Sequence, residues 1–295
     1  MKESVEFIKN YVKDDDYVVC ATSGGVDSMT LLYLLMLVRK SVNINIVCAH
    51  INHNLREESK EEYEFVKDYC IKNNIMFEGK IFEKNILGNL ESEFRKRRYK
   101  FFDDVVNKYD AKYLFTAHHG DDLIETVLMR MIRGSNLNGY SGFHEIVDMG
   151  SYKIARPLIH YTKKELEDYD KLNNVFYYVD ESNHKMKYTR NRYRKYVLPF
   201  LKEEDPNVHK KVLKYSHNLA EASKYIEKER DKAYRKIVDS KTGYIKISAF
   251  LELDPYIKKE ILYYIMEDFY QDDLILVGDK HIDLLNQVLH SRKAN

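Results

Sequence analysis

Through roughly the first 120 residues, short runs rich in β-branched and aromatic residues alternate with longer segments of helical period. This alternation constrains the fold more than any other feature. Tyr17-Val-Val-Cys-Ala21, Asn45-Ile-Val-Cys-Ala49, Ile75-Met-Phe77 with Ile81-Phe82, and Lys112-Tyr-Leu-Phe-Thr-Ala117 read as strands. Helices are predicted from Asp27 to Lys40, Glu57 to Asn73, Glu91 to Lys108 and Asp121 to Arg133. The helix after the first strand is nearly all apolar, as a crossover helix packed against a sheet requires. The pattern predicts an α/β fold built on a doubly wound parallel sheet.

Beyond Gly134 the composition changes. Gly134 to Gly150 reads as loop, and Lys163 to Leu172 as an amphipathic segment. Asp205-Pro206 is a predicted boundary, because the residue before a proline leaves helical geometry. It separates a domain at 1–205 from one at 206–295. In the second, Val208 to Val238 reads as one long polar helix. A strand signal at Gly243-Tyr-Ile-Lys-Ile247 and two further helical segments complete a smaller α-rich C-terminal domain. The 295 residues, 44% of them hydrophobic and only four of them proline, suit one large and one small helix-rich unit.

Charge and cysteine usage exclude several classes. Lys and Arg number 48 against 47 Asp and Glu, so any affinity for nucleic acid must come from clustering. Cys20, Cys48 and Cys70 are far apart in sequence with no C-x-x-C pair, against a disulfide framework or a four-thiolate metal site. The longest apolar run, Met29 to Val38, is far short of the roughly 20 residues of a membrane span. The N-terminus has no apolar stretch of signal-peptide length. A soluble, cytoplasmic protein without membrane contact is expected.

Ser23-Gly-Gly-Val-Asp-Ser28 joins the first strand to the first long helix. Gly24 and Gly25 allow a tight turn and a close backbone approach, while amides at the helix start point at an anion with the dipole in support. Ser23 and Ser28 add hydroxyls, Val26 lies between them, and Asp27 can help hold Mg²⁺. An ordinary strand-to-helix turn also uses Gly, Ser and Asp, but the full six-residue pattern is more demanding. It is neither the G-x-x-x-x-G-K-[ST] loop nor the dinucleotide fingerprint.

Three further clusters carry chemistry. His118, Asp122 and Glu125 share one face if the fourth helix already includes His118. They can hold an ammonium group or Mg²⁺, or take a proton from an amine; acidic residues at a helix start are the plainer explanation. Arg95 to Lys100 holds five basic residues in six positions, with Arg95 and Arg98 on a common face. Lys185 to Lys195 carries six basic residues and two tyrosines with no acid, suiting phosphate neutralisation and base stacking on RNA. His50 reads as a strand-end residue and His53 as a candidate site residue.

Ser23 to Ser28 resembles the pyrophosphate-binding loop of the N-type ATP pyrophosphatases, or PP-loop superfamily, which split ATP between its α and β phosphates. Several stretches are similar to one branch, the tRNA(Ile)-lysidine synthetases. These are His50-Ile-Asn-His-Asn-Leu-Arg56 (with Asn54 for the more usual glycine), Glu91-Ser-Glu-Phe-Arg-Lys-Arg-Arg-Tyr99, and Ala117-His-His-Gly-Asp-Asp122 with Glu125 and Thr126. Arg133-Gly-Ser135, Arg156-Pro-Leu158, Asp180-Glu-Ser-Asn183 and Arg190-Asn-Arg-Tyr-Arg194 with Pro199 follow in that family's order.

The resemblance implies an adenine nucleotide alpha hydrolase-like fold and a ligase using ATP and Mg²⁺. Its substrates would be L-lysine and the isoleucine tRNA with a CAU anticodon. It places Ser23 to Ser28 on ATP, with Asp27 on the metal and Asp122 and Glu125 on the lysine amine. His118 would orient that amine, and Arg98 and Arg192 would steady the activated intermediate. Arg95, Arg190, Arg192, Arg194 and Lys195 would meet tRNA, and a homodimer is among the assemblies considered. Rival expectations are a tRNA 2-thiolation enzyme, a non-catalytic tRNA-binding module and a small-molecule amidotransferase.

Overall fold

Six strands form one sheet in the order β3-β2-β1-β4-β6-β5: β1 (Tyr17–Thr22), β2 (Asn45–Asn52), β3 (Met76–Ile81), β4 (Tyr113–Phe115), β5 (Ile146–Asp148) and β6 (Lys153–Ala155). The structure, a computed structural model, describes residues 1–52, 54, 58–82, 90–178, 189–239, 241–270 and 279–291. All neighbouring pairs run parallel except the edge pair β5–β6. Residues alternate between two apolar layers, as the two-residue period of a strand requires. Val18, Cys20, Ile46, Cys48, Phe115 and Ala155 face one core, and Val19, Val47, Ala49, Leu114 and Ile154 face the other. The predicted doubly wound architecture is therefore present.

Helices cover both faces. The first core is closed by α1 (Lys2–Tyr11), α2 (Val26–Arg39), α3 (Glu58–Lys72) and, through Leu166, a later helix. The second is closed by α4 (Leu90–Lys108), which buries Phe101, Phe102, Val105 and Val106 against the sheet. Nine of the fourteen residues of α2 are buried, which explains its largely apolar sequence. After β4 come α5 (Gly120–Arg133), the single turn α6 (Leu137–Tyr140), and α7 (Lys163–Asn173). Thr162 caps α7 by accepting from the Glu165 amide, and Glu165 returns a carboxylate to the Thr162 amide at 2.7 Å.

Several elements were not foreseen, among them α1, β5, β6 and the turn α6. The amphipathic α1 buries only Ser4 and Ile8 and carries few strong helix signals. The strands β5 and β6 have three residues each, too short for a periodic signature, and β5 lies in the glycine-punctuated stretch read as loop.

α8 (Thr189–Arg192), a π-helical turn (Tyr193–Val197) and α9 (Leu198–Glu204) follow. Asp205 leaves the helix at φ −153° and ψ 110°, the extended geometry a following proline imposes. The 30-residue α10 (Val208–Ile237) comes next, and the two compact units of the chain, Met1–His217 and Asn218–Asn295, divide within it. The second unit also holds α11 (Ile247–Leu251), α12 (Pro255–Tyr270) and α13 (Asp279–His290) around Ile237, Phe250, Ile261, Leu262 and Ile282. Its strand signal yields one antiparallel bridge, Val238 to Ile245. No helix among the described residues is long and apolar enough to cross a membrane.

Cys20 and Cys48 are register partners on β1 and β2, and the Cys70 thiol is hydrogen-bonded to Cys48. All three are buried and free. Burial raises Cys20, and the Cys48 contact followed by burial raises Cys70, so both remain thiols at neutral pH.

Gly79 in β3 lies beneath an aromatic group. A Cβ there would sit 2.2 Å from the Tyr63 hydroxyl and 2.6 Å from Phe77 Cε1. Gly79→Ala is expected to lose about 1–3 kcal/mol through overpacking, read as a lower urea midpoint at unchanged m-value. An unchanged midpoint would contradict this packing.

Candidate active site

The sheet reverses its winding between β1 and β4, and the crevice at the carboxyl ends of these strands is where such sheets take ligands. Two turns leave it side by side: Ser23 to Gly25 into α2, and Thr116 to His119 into α5.

In the first turn Gly24 adopts φ +91°, a region that disfavours every residue with a Cβ. A side chain there would press on Glu62 Cγ and Val66 Cγ2, each at 3.1 Å. The Ser28 hydroxyl accepts from the Ser23 and Gly24 amides at 3.1 and 3.2 Å, and donates to the Gly25 carbonyl at 3.0 Å. Ser23 Oγ lies 3.2 Å from Ser28 Oγ, so the two serines tie the turn to the helix. Gly25 is the N-cap of α2, and the first amides of a helix have no partner within it. The Gly25 amide donates to Ser23 Oγ at 3.4 Å and the Ser28 amide to the Gly25 carbonyl oxygen at 3.1 Å, so the loop is a tight turn on a helix dipole whose own hydroxyls hold its amides in place.

From this cradle an alternating chain of charge crosses the crevice. Lys163 Nζ donates to both carboxylate oxygens of Asp27, at 2.8 and 2.9 Å. His119 Nε2 lies 3.8 Å from Asp27 Oδ1 and 3.4 Å from Asp122 Oδ2. Arg194 donates to Asp122 at 3.1 Å and to both oxygens of Glu125 at 2.7 and 3.1 Å. Arg190 Nε lies 3.2 Å from Glu125 Oε2 and also bonds the Thr126 hydroxyl. Behind the chain, buried Asp121 accepts from Lys202 Nζ at 2.6 Å and from the Lys163 amide at 3.0 Å.

Burial would raise Asp122, but His119, His118 and Arg194 hold it below the ordinary carboxylate value. Burial raises Glu125 despite the opposing Arg194. The same helix thus carries two carboxylates three residues apart whose environments push them in opposite directions, an arrangement suited to separating a charged anchor from a proton acceptor.

His118 precedes α5, whose N-cap is His119. It therefore does not share a helix face with Asp122 and Glu125, which corrects the expectation made from spacing. Its Nδ1 lies 3.1 Å from Thr116 Oγ1 and its ring 5.2 Å from that of Phe143. Burial lowers its pKa to about 4, Asp122 opposing and Arg156, Arg190 and Arg98 assisting, so the ring is neutral at pH 7.

The basic residues divide into two groups. Burial lowers Arg98, with Arg95 and Arg190 also pressing on it, and lowers Arg156 and Arg130, each again with Arg95 as a like-charge neighbour. This gathers arginines from four segments around the crevice. Arg192, by contrast, is exposed and bonds Thr189 within its own turn at 3.1 Å, and Lys195 lies over the Tyr196 ring. These two are not brought to the carboxylates. His50 is buried within β2, two residues before its end, with Nδ1 2.9 Å from the Thr22 carbonyl oxygen. His53, Arg56, Asp180 to Asn183 and Lys185 to Tyr188 lie outside the described residues.

Sequence reasoning missed Lys163, Lys202 and the linking part played by His119. Lys163 had one legible sign. It sits in the first turn of a helix announced by Thr162-x-x-Glu165, where a cation opposes the helix dipole. Lys202 had none.

Residues 1–201 match the PP-loop domain family. The tRNA(Ile)-lysidine synthase of Bacillus cereus is 38% identical over 245 residues, covering 80% of this chain and 52% of that protein. That of Bacillus subtilis is 37% identical over 235 residues, covering 77% and 49%. The bifunctional protein TilS/HprT of Listeria monocytogenes is 32% identical over 287 residues, covering 95% and 44%. The chain thus spans about half the length of the curated relatives it matches. Among solved structures, the U34-tRNA thiolase NcsA from Methanococcus maripaludis with its [4Fe-4S] cluster superposes with a TM-score of 0.64 at 18% identity. It covers 75% of this chain and 78% of that one, and the likeness is one of fold.

Beneath the cradle, Asp170 of α7 accepts from Thr30 of α2 at 2.8 Å, and burial lifts its pKa to about 7. A carboxyl raised in the folded state contributes stability below its unfolded value of about 4 and loses it as pH rises through about 7. Asp170→Asn keeps an acceptor for Thr30. It is expected to match the parent protein near pH 4 and exceed it by about 1–3 kcal/mol at pH 8. Urea unfolding across that range checks this; parallel pH profiles would contradict it.

Proposed function

The chain belongs to the PP-loop domain family, and from that premise we propose that it joins L-lysine to C2 of the wobble cytidine in the isoleucine tRNA bearing a CAU anticodon. The product, lysidine, would change the codon read from AUG to AUA. The reading rests on one observation above all: the amide cradle at Ser23 to Ser28 and the carboxylates Asp122 and Glu125 open on the same crevice, linked through Asp27 and His119. A cradle for pyrophosphate beside a site for an ammonium group is what an ATP-driven amine transfer needs. The names carried by relatives that match 77% or more of this chain support it.

The chemistry follows from leaving groups. An amide-like oxygen leaves poorly, so the cytidine C2 oxygen first attacks the α-phosphorus of ATP and expels diphosphate. The ε-amine of lysine then attacks C2, loses a proton, and AMP departs with the oxygen. Gly24, Gly25, Ser28 and the first turn of α2 would bind the diphosphate portion, which would take over the loop amides that Ser23 and Ser28 now hold. Glu125, raised by burial, is the better proton acceptor, and Asp122 the better anchor for the ammonium. The amine would take the place that Arg194 holds between them. Neutral His118 would orient the amine, and Arg98 would offset charge on the adenylated base.

Among the described residues no cluster of three His, Cys, Asp or Glu side chains could hold a metal ion. A Mg²⁺ ion that takes most of its ligands from phosphate and water would have Asp27 as its protein ligand once Lys163 leaves one of the carboxylate oxygens, and would supply charge neutralisation on the phosphates. The arginines around Arg95, Arg98, Arg130 and Arg190 suit an RNA backbone. Arg192, Arg194 and Lys195 continue that basic surface. Buried thiols favour amine over sulfur as the nucleophile. The small C-terminal domain from residue 206 onward, the cytoplasmic location and a homodimer belong to the same proposal.

The test is incubation with ATP, labelled lysine and the isoleucine tRNA transcript, followed by nucleoside analysis. Lysidine is expected. Asp27→Ala and Asp122→Ala should each lower its formation by about 10²-fold or more while the proteins remain folded. Near-parental turnover by either variant would contradict the assignment.

A further inference from the structure

A carboxylate beside a pyrophosphate cradle is a liability. Asp27 occupies the second position of α2, where it gains from the helix dipole but faces any anion bound by the same amides. Lys163 answers it: its ammonium contacts both carboxylate oxygens while its side chain stays 41% exposed.

The position is built, not incidental. Lys163 opens α7, where a cation opposes the helix dipole, so the placement is unfavourable for the helix alone. Its backbone is fixed by the Asp121 carboxylate, which Lys202 anchors in turn. Seven residues along α7, Asp170 accepts from Thr30, three residues beyond Asp27 on α2. The two helices are therefore joined by polar contacts at both positions, and the Lys163 ammonium is held on the Asp27 carboxylate at the start of α2.

We propose that Lys163 is a polyphosphate-binding residue: it neutralises Asp27 while the cradle is empty and serves as the loop's cation when the diphosphate portion of a nucleotide occupies it. The inference rests on the nucleotide reading given above and adds a residue from outside the loop. P-loop enzymes carry a lysine within the loop for this purpose; here the sequence Ser23 to Ser28 has none, and α7 supplies one from 136 residues away. Without Lys163, the cradle would present an uncompensated carboxylate to an anion. Without both Lys163 and Asp27, it would again be neutral.

Calorimetric titration of the full chain with inorganic pyrophosphate in metal-free buffer tests this. Lys163→Met keeps the length of the stem and removes the charge. It should weaken binding by about tenfold or more, while Lys163→Arg stays within about threefold of the parent. Adding Asp27→Asn to Lys163→Met should recover most of the loss, which a merely structural lysine would not allow. Binding by Lys163→Met within about twofold of the parent, or a double variant no better than the single one, overturns the proposal. A parent protein that takes up neither ATP nor pyrophosphate removes the nucleotide reading itself, and this inference with it. Thermal melting of each variant confirms that a folded chain was titrated.

Discussion

The parallel pairing of β1 with β2 on one side and β4 on the other is the constraint from which the site follows. Because these ladders are parallel, β1, β2 and β4 all end at the same edge of the sheet. Because the winding reverses between β1 and β4, the connections leave that edge in opposite directions and open a crevice. The register pairs Cys20 with Phe115, so β1 and β4 end side by side. The phosphate loop and the His118 to Asp122 turn are neighbours for that reason alone, though almost a hundred residues separate them in sequence. A slip of one residue would turn every strand side chain to the opposite layer, and the two buried cores on either face forbid it.

Within the crevice, charge is arranged by alternation. Lys163, Asp27, His119, Asp122, Arg194, Glu125 and Arg190 follow one another with opposite or complementary partners at each step. Asp122 is held below the ordinary carboxylate value because its charged neighbours outweigh burial, whereas for Glu125 burial wins over Arg194. The positive members are also those that an anionic nucleotide or RNA would draw upon, and the negative members are those an amine would seek.

Much of this was legible in the sequence, and the rest was hidden for physical reasons. The largely apolar α2, its preceding strand and the glycine pair made the loop legible, since so apolar a helix belongs packed against a sheet. Asp122 and Glu125 were visible through helical spacing, but His118 was not, because no local signal reports that α5 begins at Gly120 rather than two residues earlier. β5 and β6 escaped because three-residue strands carry no period. Lys163 and Lys202 escaped because their importance lies in contacts made across 136 and 81 residues of chain, which neither composition nor spacing encodes.

The most direct measurement follows the phosphates of ATP labelled at the γ position, with the unmodified isoleucine tRNA present and then absent. Cleavage between the α and β phosphates in the crevice would release the label as diphosphate together with unlabelled AMP, and only when tRNA is present. Release as orthophosphate with ADP, or cleavage indifferent to tRNA, would contradict a cradle that serves adenylation of an RNA base.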